Sequence, residues 1–151
     1  MTELLTEQLV ALDVEASDKL VAIGRIADLL LGEGRLLDRD AYVEDVLARE
    51  ALIETGIGGG IAIPHAQSEA VGTPSVAYLR LREPVDWGDS GPARHIFGIA
   101  VPTGSEDGTH LKILAALARR LLDDQTREVL AHSDSKREIL DSLQIGTEGG
   151  E

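Results

Sequence analysis

The stretch that decides the fold is "HIFGIAVPTGSEDGTHLKILAALARRL", residues 95–121. Its first eight residues are almost continuously apolar, which is typical of a strand buried on both faces of a sheet. After a polar loop, apolar residues recur at helical spacing. The predicted inner stripe of this helix is Leu111, Leu114, Leu117, Ala118 and Leu121. A buried strand joined to an amphipathic helix is the repeating unit of an α/β domain.

The rest of the chain also alternates between strand and helix patterns. We therefore expect a three-layer α/β sandwich, in which helices flank a mixed, mostly parallel central sheet of about five strands. This domain is expected over residues 1–144, and the glycine-rich residues 145–151 indicate a flexible tail or the start of a linker. The other predicted elements are strands over 9–16 and 75–81 and helices from Ser17, from Asp40, over 125–131 and over 135–143.

The composition narrows the possible functions. The chain has no cysteine, which excludes a thiolate nucleophile, a disulfide framework and a cysteine-based metal site. A formal charge of −13 argues against a nucleic-acid partner and fits either a basic partner protein or plain solubility. No apolar run reaches the roughly 18 residues of a membrane span, and the first residues are acidic where a signal peptide is basic. We expect a cytoplasmic protein.

His65 lies in "GGGIAIPHAQSEA", residues 58–70. Pro64 has no backbone N–H, so we expect it to end the short strand "IAI" and to leave His65 at the rim of the sheet. Ligand sites in open α/β sheets gather at strand ends. In a chain without cysteine, His65 is a candidate nucleophile or general acid/base. The alternative is a loop histidine that hydrogen-bonds a backbone carbonyl.

Other candidates are weaker when each is taken alone. His110 follows Thr109 in the first turn of the helix after residue 108, where the helix dipole favours an anion. Arg49 and Glu50 end the second helix, and an arginine there could hold a phosphoryl group. Each could equally be a surface residue. We interpret His95 and His132 as structural or solvent-facing. The residues signal no metal or nucleotide cofactor, because the spacing fits neither a zinc motif nor a phosphate-binding loop.

Together these residues resemble the fructose/mannitol-type enzyme IIA domains of the bacterial phosphoenolpyruvate-dependent sugar phosphotransferase system. The family's first motif matches "AREALIETGIGGGIAIPHAQSEAV", residues 48–71. It contains the Arg49–Glu50 pair, the stretch from Thr55 to Gly58, and Ala62 to His65. A second motif, a histidine that opens a leucine-rich helix after a Val-Pro strand end, matches His110. The resemblance covers nearly the whole chain.

The resemblance implies a phosphocarrier enzyme. His65 would accept a phosphoryl group on Nε2 from the carrier protein HPr, whose docking face is basic, and pass it to a cysteine of a IIB domain. The membrane IIC domain would then take up the sugar, with fructose our first expectation and mannitol the second. His110 would orient the group and Arg49 would neutralise it, while partner contacts are expected at Glu50, Thr55, Gly58, Gly60 and Pro64. The alternative is a nitrogen-type regulatory IIA protein, which acts by binding other proteins according to its phosphorylation state.

Overall fold

The computed structural model describes residues 4–104 and 109–143, apart from the side chain of His110. Within these ranges the strands are β1 (Val10–Val14), β2 (Gly56–Gly58), β3 (Ile61–Ala62), β4 (His65–Ser68), β5 (Ser75–Val85) and β6 (Ala93–Pro102). They form one mixed sheet in the order β1-β5-β6-β3-β2, and β4 also pairs with β6. Three of the five pairings are parallel and two are antiparallel, which confirms the expected mixed sheet.

Helices cover both faces of this sheet and make it the middle of three layers. On one face, the Ile26 side chain packs so closely on Gly98 that a Cβ at Gly98 would overlap it. On the other face, Arg80 Nη1 donates to the Leu130 carbonyl at 3.0 Å. None of the helices in the described ranges has the length and apolar character of a membrane span. The helices are α1 (Lys19–Gly32), α2 (Arg39–Leu52), α3 (Thr109–Leu121), α4 (Asp124–His132) and α5 (Lys136–Leu143).

The predicted inner stripe of α3 is partly wrong. Leu117 and Leu121 are buried as expected, but Leu111 is 60% exposed and Ala118 is also exposed. The buried residues are instead Ile113, Leu117 and Leu121. They are four residues apart and therefore lie on the same face of the helix. The predicted stripe was therefore right at Leu117 and Leu121 and wrong at Leu111 and Ala118.

The sheet does not end at Pro64, contrary to the prediction. Ile61 pairs with His95 and His65 pairs with Ile99, so β3 and β4 follow β6 with one constant register. Pairing breaks only at Ile63 and Pro64, where the missing N–H cannot donate. The Pro64 carbonyl still accepts from the Ile99 N–H at 3.0 Å. His65 is consequently the first residue of a resumed strand.

The glycine-rich loop forms a β-hairpin, which adds β2 to the expected strands. Gly59 and Gly60 have φ values of +66° and +81°, which suits a tight two-residue turn between β2 and β3. The Gly60 carbonyl accepts from the N–H groups of Arg94 and His95 at 2.8 and 2.9 Å. The hairpin therefore lies at the His95 end of β6, about 13 Å along the sheet from His65 by strand rise.

Candidate active site at His65

His65 is half-buried and lines a cleft of about 640 Å³ between α2 and β4. The cleft wall combines charged, polar and small apolar side chains. Leu52, which is 79% exposed, lies on its α2 side. The other lining residues are Ala41, Asp45, Ala48 and Arg49 from α2, Ala66 to Ala70 from β4 and the turn after it, and Thr103 after β6. The site thus has room for a small anionic group beside the imidazole.

One hydrogen bond fixes the tautomer of His65. Its Nδ1 lies 2.8 Å from the Ile63 carbonyl oxygen. A carbonyl oxygen can only accept, so Nδ1 carries the proton and donates it. In the neutral ring Nε2 then holds the lone pair, which makes Nε2 the nucleophilic nitrogen. This bond also shows that the two sequence interpretations of His65, carbonyl-bonded and functional, are compatible.

A buried tyrosine on helix α2 bonds the helix to the sheet beside strand β4. The Tyr42 hydroxyl donates to the Ile99 carbonyl at 3.0 Å, and Ile99 is the register partner of His65. Asp45 and Arg49 follow Tyr42 at spacings of three and then four residues, so all three lie on one face of α2. Tyr42 is buried against the sheet, whereas the exposed Asp45 and the half-buried Arg49 line the cleft.

Arg49 shares the cleft with His65, as the motif predicts. Its Nη1 donates to the Ile53 carbonyl at 2.9 Å, which fixes the guanidinium at the carboxyl end of α2. A guanidinium presents five donors in a planar fork that matches a phosphoryl group. The structure therefore brings a guanidinium and an imidazole to one cleft.

Glu50 and Thr55 lie behind the site and are buried, with 8% and 7% exposure. The Glu50 carboxylate accepts from both the backbone N–H and the hydroxyl of Thr55, and it pairs with Lys19 Nζ at 2.7 Å. The Thr55 carbonyl in turn accepts from the Ile63 N–H at 3.0 Å. Since Ile63 also orients His65, this chain of bonds supports the imidazole from within the protein.

Of the remaining expected site residues, Pro64 directly precedes His65 and is buried, whereas Gly58 and Gly60 lie in the hairpin at the other end of β6. His110 is the second residue of α3, and the position of its side chain lies outside the described part of the chain. Its approach to His65 stays a prediction, as do partner contacts at these positions.

His95 has a different environment. Its Nδ1 lies 2.7 Å from the Tyr78 hydroxyl, and the two rings stack. Burial, with smaller contributions from Arg94 and Arg80, lowers the pKa of His95 to about 4. His132 is exposed and lies 3.5 Å from Glu128. Among the described residues no group of three or more metal-ligand side chains could hold an ion.

Three residues of the site were missed from the sequence: Tyr42, Asp45 and Ser68. The Ser68 hydroxyl donates to Asp45 Oδ2 at 2.5 Å and joins α2 to β4 beside the cleft. A signal for Tyr42 was present, because it lies one helical turn before the buried, apolar Val46 on the inner face of α2. A polar group on an inner helix face requires a partner, and that requirement could have marked Tyr42.

Fold, cleft and histidine define a phosphotransferase domain of the enzyme IIA class. A family model described as "Phosphoenolpyruvate-dependent sugar phosphotransferase system, EIIA 2" matches residues 3–145, so the chain belongs to this family. It is 42% identical over 139 residues to the fructose-specific EIIA component of Haloferax volcanii, covering 90% of this chain and 89% of that protein. It is 38% identical to the fructose-specific EIIABC component of Bacillus subtilis, covering 95% of this chain but 23% of that protein.

Solved structures give the same assignment. The nitrogen regulatory protein IIA of Neisseria meningitidis superposes with a TM-score of 0.80 at 31% identity, over 93% of this chain and 97% of that one. Mannitol enzyme IIA of Escherichia coli, in complex with phosphorylated mannitol enzyme IIB, gives 0.78 at 30% identity, over 92% and 96%. The chain is thus a phosphocarrier component of the sugar phosphotransferase system, a class that works with IIB domains.

Proposed function

We propose that Nε2 of His65 carries the phosphoryl group. The observation that carries the proposal is the bond from Nδ1 to the Ile63 carbonyl, which leaves the lone pair of the neutral ring on Nε2 within the cleft. In the first step the P–N bond of phospho-HPr breaks, its electron pair returns to the HPr imidazole, and a P–N bond forms to Nε2. Nδ1 keeps its proton throughout. In the second step a thiolate of the IIB domain attacks the phosphorus and the electron pair returns to Nε2.

Arg49 and His110 are proposed to act on the transferring group. Phosphoryl transfer needs mainly in-line positioning and stabilisation of charge on the equatorial oxygens. The Arg49 guanidinium in the cleft supplies the charge, and the start of α3 at Thr109 supports a role for His110 as a hydrogen-bond donor. Glu50 and Thr55 are proposed to act indirectly, because their buried bonds hold Ile63.

The finer assignments extend this proposal. HPr as donor and a IIC domain as the route of sugar uptake follow from the family. Fructose as the sugar is supported by the two fructose-specific relatives, one of which combines IIA, IIB and IIC components in one protein. A domain over residues 1–144 and a cytoplasmic location remain proposals of the same kind.

The experiment is a reconstituted relay. The purified chain is incubated with labelled phosphoenolpyruvate, enzyme I and HPr, and a fructose-type IIB domain is then added. We expect an acid-labile phosphate on the wild-type chain that moves to IIB. His65→Ala should take up none, whereas His132→Ala, an exposed histidine on α4, should behave as wild type. Phosphate uptake by His65→Ala would overturn the assignment.

A regulatory role is the second candidate, and the 31% identity to the nitrogen regulatory IIA protein favours keeping it. Both candidates share the first phosphoryl step and differ in the second. A chain that accepts phosphate from HPr but passes none to any fructose-type or mannitol-type IIB domain would support regulation. Rapid transfer to IIB would support transport.

A further inference from the structure

Two acidic residues line the cleft, Asp45 and Glu69, and the phosphotransfer chemistry requires neither of them. Asp45 lies one helical turn before Arg49 on α2, and both line the cleft with His65. A phosphoryl group on His65 would add a charge of about −1.5 to −2 to the same cleft. Arg49 attracts this charge, and Asp45 repels it.

The Asp45 carboxylate is held in place by the sheet. Ser68, which is only 2% exposed, donates its hydroxyl to Asp45 Oδ2 at 2.5 Å. The same Ser68 oxygen accepts from the Ala70 N–H at 3.0 Å, which fixes the direction of the hydroxyl proton. Exposed carboxylates usually sample many rotamers, but this one is tied to β4 by a buried donor.

The placement is specific to one face of α2. In β4, Ala66 and Ser68 are buried while Gln67 is exposed, so Ser68 faces inward toward α2. Asp45 and its neighbour Glu44 are both exposed, but only Asp45 lines the cleft. The chain therefore offers two adjacent acids, of which one shares the site with His65.

We propose that Asp45, positioned by Ser68, raises the free energy of the phosphorylated state and so sets the phosphoryl-transfer potential of this chain. This inference rests on the proposed function of His65. A relay must give up its phosphoryl group as readily as it takes it, and Arg49 alone would hold the group too firmly. Asp45 partly cancels the attraction and keeps transfer from HPr and transfer to IIB close to balance.

The size of the effect follows from Coulomb's law. At a separation of several ångströms and an effective dielectric constant between that of water and that of a protein surface, a doubly charged group and a carboxylate repel enough to change an equilibrium constant by roughly tenfold. Removing the Asp45 charge should therefore favour the phosphorylated chain by roughly this factor. An acid outside the cleft is more strongly screened by water and salt, so its removal should matter much less.

The test measures the equilibrium of phosphoryl exchange between HPr and the full chain, started from isolated phospho-HPr. Asp45→Asn should shift this equilibrium roughly tenfold toward the phosphorylated chain, and Glu44→Gln should shift it less than twofold. Asp45→Glu, which retains the charge, should remain close to wild type. Ser68→Ala should give a smaller shift in the direction of Asp45→Asn, because the carboxylate is no longer held.

The outcomes separate charge from folding. Urea unfolding of each variant reports stability, and Asp45→Ser provides a second neutral replacement should Asp45→Asn fail to fold. An equilibrium for the folded neutral variants that matches Glu44→Gln, or one shifted toward phospho-HPr, would overturn the inference while leaving the role of His65 intact. A wild-type chain that accepts no phosphate would overturn the proposed function, and this inference with it.

Discussion

Two histidines lie at opposite ends of strand β6, one within it and one on the neighbouring strand β4, and their surroundings differ. His65 pairs with Ile99 toward the end of β6, and His95 lies near the beginning of β6, opposite Ile61. At the first end, a backbone carbonyl fixes the tautomer and an open cleft adjoins the ring. At the second, the ring bonds a tyrosine hydroxyl, and burial, with smaller contributions from two arginines, lowers its pKa to about 4. Both residues are histidines, so only their surroundings distinguish the proposed phosphoryl carrier from the structural histidine.

The contrast between the two histidines would fail if the positive charge of Arg49 had no effect on transfer at His65. We expect Arg49→Gln to slow transfer from phospho-HPr by about 10²–10³-fold, as for loss of one oriented donor to a developing anion. Arg25→Gln, which removes the same charge from the exposed side of α1, is the matched control. Rapid-quench kinetics measures both rates. Equal rates for the two variants would exclude Arg49 from the site.

A change at His95 should affect the stability of the protein and not the rate of phosphoryl transfer. Between pH 6.5 and about 4 the unfolded chain binds a proton at His95 that the folded chain does not. The contribution of neutral His95 is therefore complete above pH 6.5 and is lost as the pH falls toward 4, by up to ~3 kcal/mol.

Urea unfolding from pH 7 to 4.5 tests this expectation. His95→Gln should show a shallower loss of stability than wild type over this range, while its transfer rate at neutral pH stays within about twofold. A pH dependence identical to wild type would show that His95 is not held neutral by the fold.

His110 should contribute less than Arg49. We expect His110→Ala to keep the fold and to slow transfer about tenfold, the effect of losing one hydrogen bond to the phosphoryl group. The measurement is the same transfer rate, with circular dichroism as the check on folding. Unchanged kinetics would remove His110 from the site.

A substitution at Thr55 tests the role of the buried hydrogen bonds behind His65. Thr55→Val removes the hydroxyl that bonds Glu50 and keeps the shape of the side chain, so unfolding should become easier by about 1–3 kcal/mol. Transfer should slow only several-fold, because the Ile63 carbonyl still accepts from His65. Thr55→Ser is the control that restores the hydroxyl. A rate as low as that of Arg49→Gln would indicate a direct role.

The sequence predicted what depends on neighbours along the chain. Arg49 and His65 belong to one continuous motif, and the proline before His65 breaks strand pairing as its missing N–H requires. The alternation of strands and helices gave the α/β class. These features are local. Elementary chemistry was sufficient for the α/β class and for His65 as a candidate, whereas the role of Arg49 came from the family resemblance.

Features that depend on distant contacts were missed or wrong. The Tyr42 bond to Ile99 joins residues 57 apart and the Ser68 bond to Asp45 joins residues 23 apart, and no local pattern specifies either. Gly58 and Gly60 were expected to contact a partner at the His65 site, but strand register places their hairpin near His95. Strand register is set by pairing along the whole sheet. The closeness of these glycines to Pro64 in the sequence therefore did not predict where they lie in the structure.

The nitrogen that carries the phosphate tests the central claim most directly. The chain, with ¹⁵N in its four histidines, is phosphorylated through HPr and observed by nuclear magnetic resonance. We expect phosphorus coupling at Nε2 of His65 alone, with Nδ1 still protonated and bonded to the Ile63 carbonyl. Coupling at Nδ1 of His65, or at any other histidine, would contradict the proposed geometry.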